Sequence, residues 1–185
     1  AVTLATKDKK DFEIISKLIP NKEFRIYYSN DLIGTQIGGA LKNIYAIAAG
    51  IAEGLNLGEN AKSALISRSF AEMTRYAKKF KADKNTLFGL SGLGDLILTC
   101  SSKNSRNTQF GIKLASSKYD NFLDLLKSQE VTEGYYTVKA VYNISQKKNI
   151  DMPIMESVYN ILYKQHDLKE ELSNLLSRPI TEEKI

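Results

Sequence analysis

Apolar residues follow two different rhythms along this chain, and the change comes near residue 30. Before it, Val2-Thr3-Leu4-Ala5 suits a short buried strand, while Phe12, Ile15 and Ile19, with Ile14 and Leu18 beside them, mark one face of a helix. Pro20-Asn21 breaks that helix, and Phe24-Arg25-Ile26-Tyr27-Tyr28 reads as a second strand. A strand, a helix and a strand with no later counterpart predict that residues 1–29 are the tail of an α/β domain.

From Asn30 onward the period is helical almost throughout. Asn30-Asp31 can cap a long helix running to about Gly54, and Asn56-Leu57-Gly58 punctuates the chain before a second long helix from about Asn60 to Phe80. Shorter helices are expected near Asp95 to Ser101, Asn107 to Ala115, Asn121 to Ser128, Glu133 to Lys147, Pro153 to Lys164 and Leu168 to Leu176. Residues 30–185 are therefore expected to form one mainly α, multi-helix domain, with neither an internal repeat nor a low-complexity segment.

Composition narrows the class. At 185 residues, 43% hydrophobic and 25% charged, the chain has the profile of a globular protein rather than a disordered one. The net charge of +5 comes mostly from lysines scattered among acids, which suits anionic ligands without demanding nucleic acid. A single cysteine, Cys100, excludes an intrachain disulfide and a Cys-based zinc site, and fits a reducing compartment. The longest apolar stretch, Ile44 to Ala52, is interrupted by Tyr45 and Gly50 and falls short of the ~20 residues of a membrane span. No signal-peptide pattern is present, and a strand that begins at Ala1 without a lead-in suggests a chain trimmed from a longer one.

Four segments carry candidate chemistry. Gly34, Gly38 and Lys42 are spaced four apart, so they line one stripe of the first long helix, with Gly39 beside it. Glycines inside a helix cost about 1 kcal/mol each, so something approaches closely: either another helix, with Lys42 reaching solvent, or a ligand that meets the ammonium. Ser91-Gly92-Leu93-Gly94-Asp95 places an acid at the start of an apolar helix, with Thr99 one turn later on the same face. Asp95 reads either as an N-cap or first-turn residue stabilised by the helix dipole or, with Thr99, as a holder of a substrate hydroxyl. The polar run Ser101 to Thr108 is either an exposed loop or a phosphate site, where Arg106 offers a forked donor and Ser105 and Asn107 sit at a helix start. Val131-Thr132-Glu133-Gly134-Tyr135 again reads as a capped helix start on spacing alone. His166, in Lys164-Gln165-His166-Asp167, is assigned no catalysis.

Taken together, Asp31 to Gly34, Gly38 to Asn43, Gly92 to Leu96 with Thr99-Cys100, Ser105-Arg106-Asn107, and Val131 with Glu133-Gly134-Tyr135 form a pattern in register. It resembles the NAD(P)-dependent sn-glycerol-3-phosphate dehydrogenases of bacterial type, over roughly Asn30 to Tyr163. The resemblance implies an all-helical C-terminal substrate domain of the 6-phosphogluconate-dehydrogenase-like type over residues 30–185, preceded by a Rossmann remnant. It implies interconversion of sn-glycerol 3-phosphate and dihydroxyacetone phosphate, supplying glycerophospholipid synthesis in the cytoplasm, by a homodimer. Lys42 matches the family's proton acceptor and Asp95 its substrate-site acid. Ser105, Arg106 and Asn107 match substrate contacts, with Asn43 and Thr99 at accessory substrate positions. Arg106, Val131 and Glu133 match positions beside the cofactor, NAD or NADP. No metal is implied.

The departure from the family is as informative as the match. No GxGxxG follows a strand in these residues, so the turn that seats a dinucleotide pyrophosphate, and the residues that distinguish NAD from NADP, belong to an amino-terminal half outside them. The chain is therefore expected to be inactive alone. Two other readings stay open: a related dehydrogenase acting on another small phosphorylated alcohol or hydroxy acid, and a non-catalytic basic helical module.

Overall fold

The computed structural model describes residues 1–19, 23–116, 125 and 132–179. Strands β1 (Val2–Ala5) and β2 (Ile26–Ser29) pair in parallel, Val2 opposite Ile26 and Ala5 opposite Ser29, with helix α1 (Lys9–Leu18) between them in the chain. β2 begins later than side-chain alternation predicts, because its register on β1 sets its limits and Arg25 contributes only the carbonyl that accepts from the Val2 amide. Asp8 caps α1 by accepting from the Lys10 amide. No residue of α1 is buried, and Ile14 and Leu18 are 60% and 73% exposed. Phe12 rests against Tyr28 with ring centroids 5.3 Å apart.

Helix α2 (Leu32–Gly54) is the axis of the molecule. Asp31 starts it: Oδ1 accepts from the Gly34 amide at 2.8 Å, and Oδ2 accepts from the Asp83 amide at 2.8 Å, so one carboxylate caps the helix and ties down a later turn. From Leu41 to Ala52 every residue except Lys42 is buried, as befits a helix surrounded by others. Helices α3 (Glu59–Lys79), α4 (Lys84–Phe88), α5 (Asp95–Ser101), α6 (Arg106–Ala115), α7 (Glu133–Lys148) and α8 (Pro153–Lys164) all follow in the chain. Each of these packs on α2, and α9 (Leu168–Leu176) packs on α8.

The closest crossing is between α2 and α6. A Cβ added at Gly50 would land on the Thr108 carbonyl, and one at Gly111 on the Ile47 carbonyl, so the two backbones touch where neither residue has a side chain. At the far side of α2, Glu72 of α3 is 1% exposed. Its Oε1 accepts from the Ile154 amide at 2.6 Å and its Oε2 from the Met155 amide at 3.2 Å, which supplies the start of α8 with acceptors its own sequence lacks. Burial pushes this carboxyl up to about 7.

The long helices fall within one or two residues of their predicted limits, and α5, α8 and α9 match them. Helix α4 and a π-helical turn at Leu90–Gly94 were not predicted; each is five residues long, too short to show a period. The expected helix at Asn121 to Ser128 lies outside the described residues apart from Leu125, which is buried, and so does the break at Pro20-Asn21. Among the described residues no helix is long and apolar enough to cross a membrane.

Candidate active site

At Gly38 the glycine stripe on α2 serves packing: a Cβ there would strike the Ser91 carbonyl, so the π turn lies directly against the helix backbone, whereas one at Gly34 would strike the helix's own Asp31 cap. Gly92 is confined in the same way by the Leu87 backbone. This seating brings Asp95, the residue after the turn, to the end of the Lys42 side chain. Lys42 Nζ donates to Asp95 Oδ2 at 2.5 Å, with the two side chains 23% and 30% exposed. Asp95 is not the cap of its helix: it stands in the first turn of α5, which has no side-chain cap, and its carboxylate meets the lysine.

Thr99 shares the face of Asp95 as predicted, but its hydroxyl donates to the Asp95 carbonyl at 2.6 Å, with Asp95 Oδ1 at 3.4 Å. Asp95 Oδ1 thus retains acceptor capacity toward the partly open side. Thr108, which the sequence reading did not single out, donates from its hydroxyl to the Thr99 carbonyl at 2.8 Å and holds the end of α5 against α6. Its only sequence signal is its place three residues after a capping serine.

Ser105 is the cap of α6, its Oγ accepting from the Thr108 amide at 3.2 Å. The amides of Arg106 and Asn107, in the first turn, have no intrahelical acceptor, and together with the helix dipole they make this end a place for an anion. Arg106 is largely exposed, and its Nη2 stands 3.7 Å from Oε1 of the equally open Glu133.

Between these charged groups lie two amides, each 8% exposed. Asn107 Nδ2 donates to Asn43 Oδ1 at 3.0 Å, Asn43 Nδ2 donates to Glu133 Oε2 at 3.3 Å, and Asn107 Oδ1 accepts from the Gly134 amide at 3.0 Å. A Cβ on Gly134 would fall 2.7 Å from both Asn107 Oδ1 and the Asn43 carbonyl, so only glycine lets that amide come so close. Spacing alone reads Gly134 only as part of a capped helix start, so this close approach had no local signal.

Helices α2, α5, α6 and α7 thus bring together Lys42, Asn43, Asp95, Thr99, Ser105, Arg106, Asn107 and Glu133. Val131 lies outside the described residues. His166 is elsewhere, on the α8–α9 connection, with Nδ1 2.7 Å from Glu171 Oε1. Beside the cluster, the position of a Cβ on Gly39 meets nothing within 4 Å, which leaves open space on the turn of α2 before Lys42.

Comparison with known proteins adds to this geometry. A family model described as NAD-dependent glycerol-3-phosphate dehydrogenase C-terminus matches residues 31–173. The glycerol-3-phosphate dehydrogenase [NAD(P)+] of Solidesulfovibrio magneticus is 46% identical over 184 residues, covering 99% of this chain and 55% of that protein. The enzyme of the same name from Staphylococcus haemolyticus is 42% identical over 178 residues, 96% of this chain and 53% of its own length. Among solved structures, glycerol-3-phosphate dehydrogenase from Coxiella burnetii superposes with a TM-score of 0.89 at 36% identity, over 96% of this chain and 55% of that one. The Saccharomyces cerevisiae enzyme superposes at 0.80 with 26% identity, over 94% of this chain and 53% of that one. The chain spans about half the length of the curated relatives it matches.

Proposed function

This chain belongs to the NAD-dependent glycerol-3-phosphate dehydrogenase family, whose C-terminal part it matches, and from that premise we propose that it forms the substrate half of an enzyme interconverting sn-glycerol 3-phosphate and dihydroxyacetone phosphate. The observation that carries the proposal is the Lys42–Asp95 pair beside the amino end of α6, an acid-base group next to an anion site. A bound NAD or NADP supplies the hydride acceptor or donor.

The residues present fit such a ligand. The open space at Gly39 lies one turn before Asn43, whose amide meets both the Gly39 carbonyl and Glu133, and Glu133 in turn faces the exposed Arg106. Ser105, Arg106 and the first amides of α6 hold the substrate phosphate, and Asn107 stands behind them. Asp95 Oδ2 orients Lys42, while Oδ1 accepts from a substrate hydroxyl. In oxidation Lys42 acts as the neutral amine, taking the C2 hydroxyl proton as the hydride leaves C2; in reduction its ammonium form returns that proton to the carbonyl oxygen. Arg106, Glu133 and Val131 lie on the cofactor side, with Asn43 and Thr99 supporting the substrate site.

We assign residues 1–29 to the end of a preceding dinucleotide-binding domain. The exposed apolar face of α1 and the exposed Val2, Tyr27 and Tyr28 of the parallel pair support this, because parallel sheets are stable when covered on both faces. The same reading makes the enzyme a cytoplasmic homodimer supplying glycerophospholipid synthesis.

The test is reduction of NAD or NADP by glycerol 3-phosphate, measured with this chain joined to its dinucleotide-binding half. Lys42→Ala is expected to lower turnover by roughly 10³-fold, and dihydroxyacetone should be a far poorer substrate than its phosphate. Equal use of the two ketones, or a Lys42→Ala enzyme of undiminished rate, sinks the proposal.

A further inference from the structure

The two buried amides close a ring. It runs from Asn43 Nδ2 to Glu133 Oε2, along the backbone to Gly134, from the Gly134 N–H to Asn107 Oδ1, and from Asn107 Nδ2 back to Asn43 Oδ1. Its direction is fixed at both ends of the covalent link. A backbone N–H can only donate, so Asn107 must present its oxygen to Gly134 and its nitrogen to Asn43. Asn43 then presents oxygen to Asn107 and nitrogen to Glu133, whose carboxylate accepts. No amide in the ring can be flipped without setting two donors or two acceptors against each other.

The ring also joins three helices at the site. Asn43 follows Lys42 on α2, Asn107 follows Arg106 on α6, and Glu133 and Gly134 begin α7. Glu133 divides its carboxylate between the ring through Oε2 and Arg106 through Oε1. Partial burial strengthens such a network and raises the cost of leaving any member unpaired.

We propose that Asn43 and Asn107 are positioning residues, and that their one-way ring sets where Glu133 and the start of α7 stand relative to Lys42 and Arg106. What the ring does for turnover rests on the dehydrogenase reading; its polarity does not. In Asn43→Asp the donor to Glu133 is lost and two carboxylates face each other. Glu133→Gln repairs that contact, since the Gln amide can donate to Asp while the other Asp oxygen still accepts from Asn107 Nδ2. In Glu133→Gln alone the Gln oxygen still accepts from Asn43, so the ring survives.

The experiment compares wild type, Asn43→Asp, Glu133→Gln and the double variant in the full-length protein, reading the thermal midpoint and, well below every midpoint, kcat and the KM for NAD(P)+. The expected result is a loss of at least about tenfold in kcat/KM for Asn43→Asp, with most of it recovered in the double variant, and a midpoint that falls and recovers in parallel. Independent, multiplying effects of the two changes overturn the ring. A midpoint that falls and recovers while kcat and KM never move overturns the positioning role and leaves a structural bond. If wild type does not oxidise glycerol 3-phosphate at all, the dehydrogenase reading fails and the positioning role with it, while the midpoints still decide the polarity of the ring.

Discussion

Two carboxylates meet α2 three residues apart, Asp95 at Lys42 and Glu72 at Tyr45, and their surroundings give them different roles. Glu72 is 1% exposed and saturated: Ile154 and Met155 donate their amides, and the Tyr45 hydroxyl lies 3.4 Å from Oε2. Asp95 is about a third exposed, meets one flexible amine, and has acceptor capacity left. A carboxylate enclosed by fixed donors can only hold the fold together. One at the edge of the core, paired with a side chain that can exchange protons, can take part in chemistry.

Neutralising each carboxylate in turn separates the two roles. Asp95→Asn is expected to lower turnover by about 10²-fold, through loss of the charge that orients Lys42, with little change in stability because the pair is partly solvated. Glu72→Gln should leave turnover of the folded protein untouched. Steady-state kinetics beside thermal melts of both variants will decide; a catalytic loss in Glu72→Gln or a wild-type rate in Asp95→Asn would reverse the roles.

The same two residues should differ in their response to pH. Glu72 has a folded-state pKa raised from 4.5 to about 7, chiefly because burial penalises its charged form. A raised carboxyl favours the folded state while protonated, so its contribution is fully present below about 4.5 and is lost as pH rises through about 7. Melts across that window should show wild type losing stability relative to Glu72→Gln, by on the order of a few kcal/mol. A constant difference between the two proteins from pH 4.5 to 8 would contradict the buried, proton-binding Glu72 described above.

A change in the backbone contact beneath Asp95 should have the smallest effect. In Gly38→Ala the new methyl group meets the Ser91 carbonyl, so the π turn must shift and take Asp95 with it. Stability should fall by about 1–3 kcal/mol. Turnover should fall further than in Val158→Ala, a core change in α8 away from the site. If the two variants are equally active when folded, the seating of the turn on Gly38 has no bearing on the Lys42–Asp95 distance.

Much of this was legible beforehand. The helical period from Asn30, the caps and the helix stops located most elements, because those signals are set by neighbours a few residues away. Lys42, Asp95 and Arg106 stood out as residue types in a pattern, but their geometry did not. The stripe of Gly34 and Gly38 had two readings, helix packing or a ligand, and the structure shows a turn packed on it while Lys42 bonds to Asp95. Asp95 looked like a cap or a first-turn acid; in the structure it lies in the first turn and bonds to Lys42 instead of capping its own helix. Thr108 and Glu72 had no distinguishing signal, since a threonine in a first turn and a glutamate in a long helix are ordinary.

Local signals in the sequence set where the longer helices begin and end, which faces are apolar, and which residue types stand near one another along each helix. Only the tertiary structure decided who pairs with whom: Lys42 with Asp95 across 53 positions, Asn43 with Asn107 across 64, and Glu72 with Ile154 across 82. Backbone geometry repeats within a few residues and so leaves its mark on the sequence. A hydrogen bond between distant helices depends on how their backbones cross, here at Gly38 against the π turn and at Gly50 against Gly111, and that is set by packing in three dimensions.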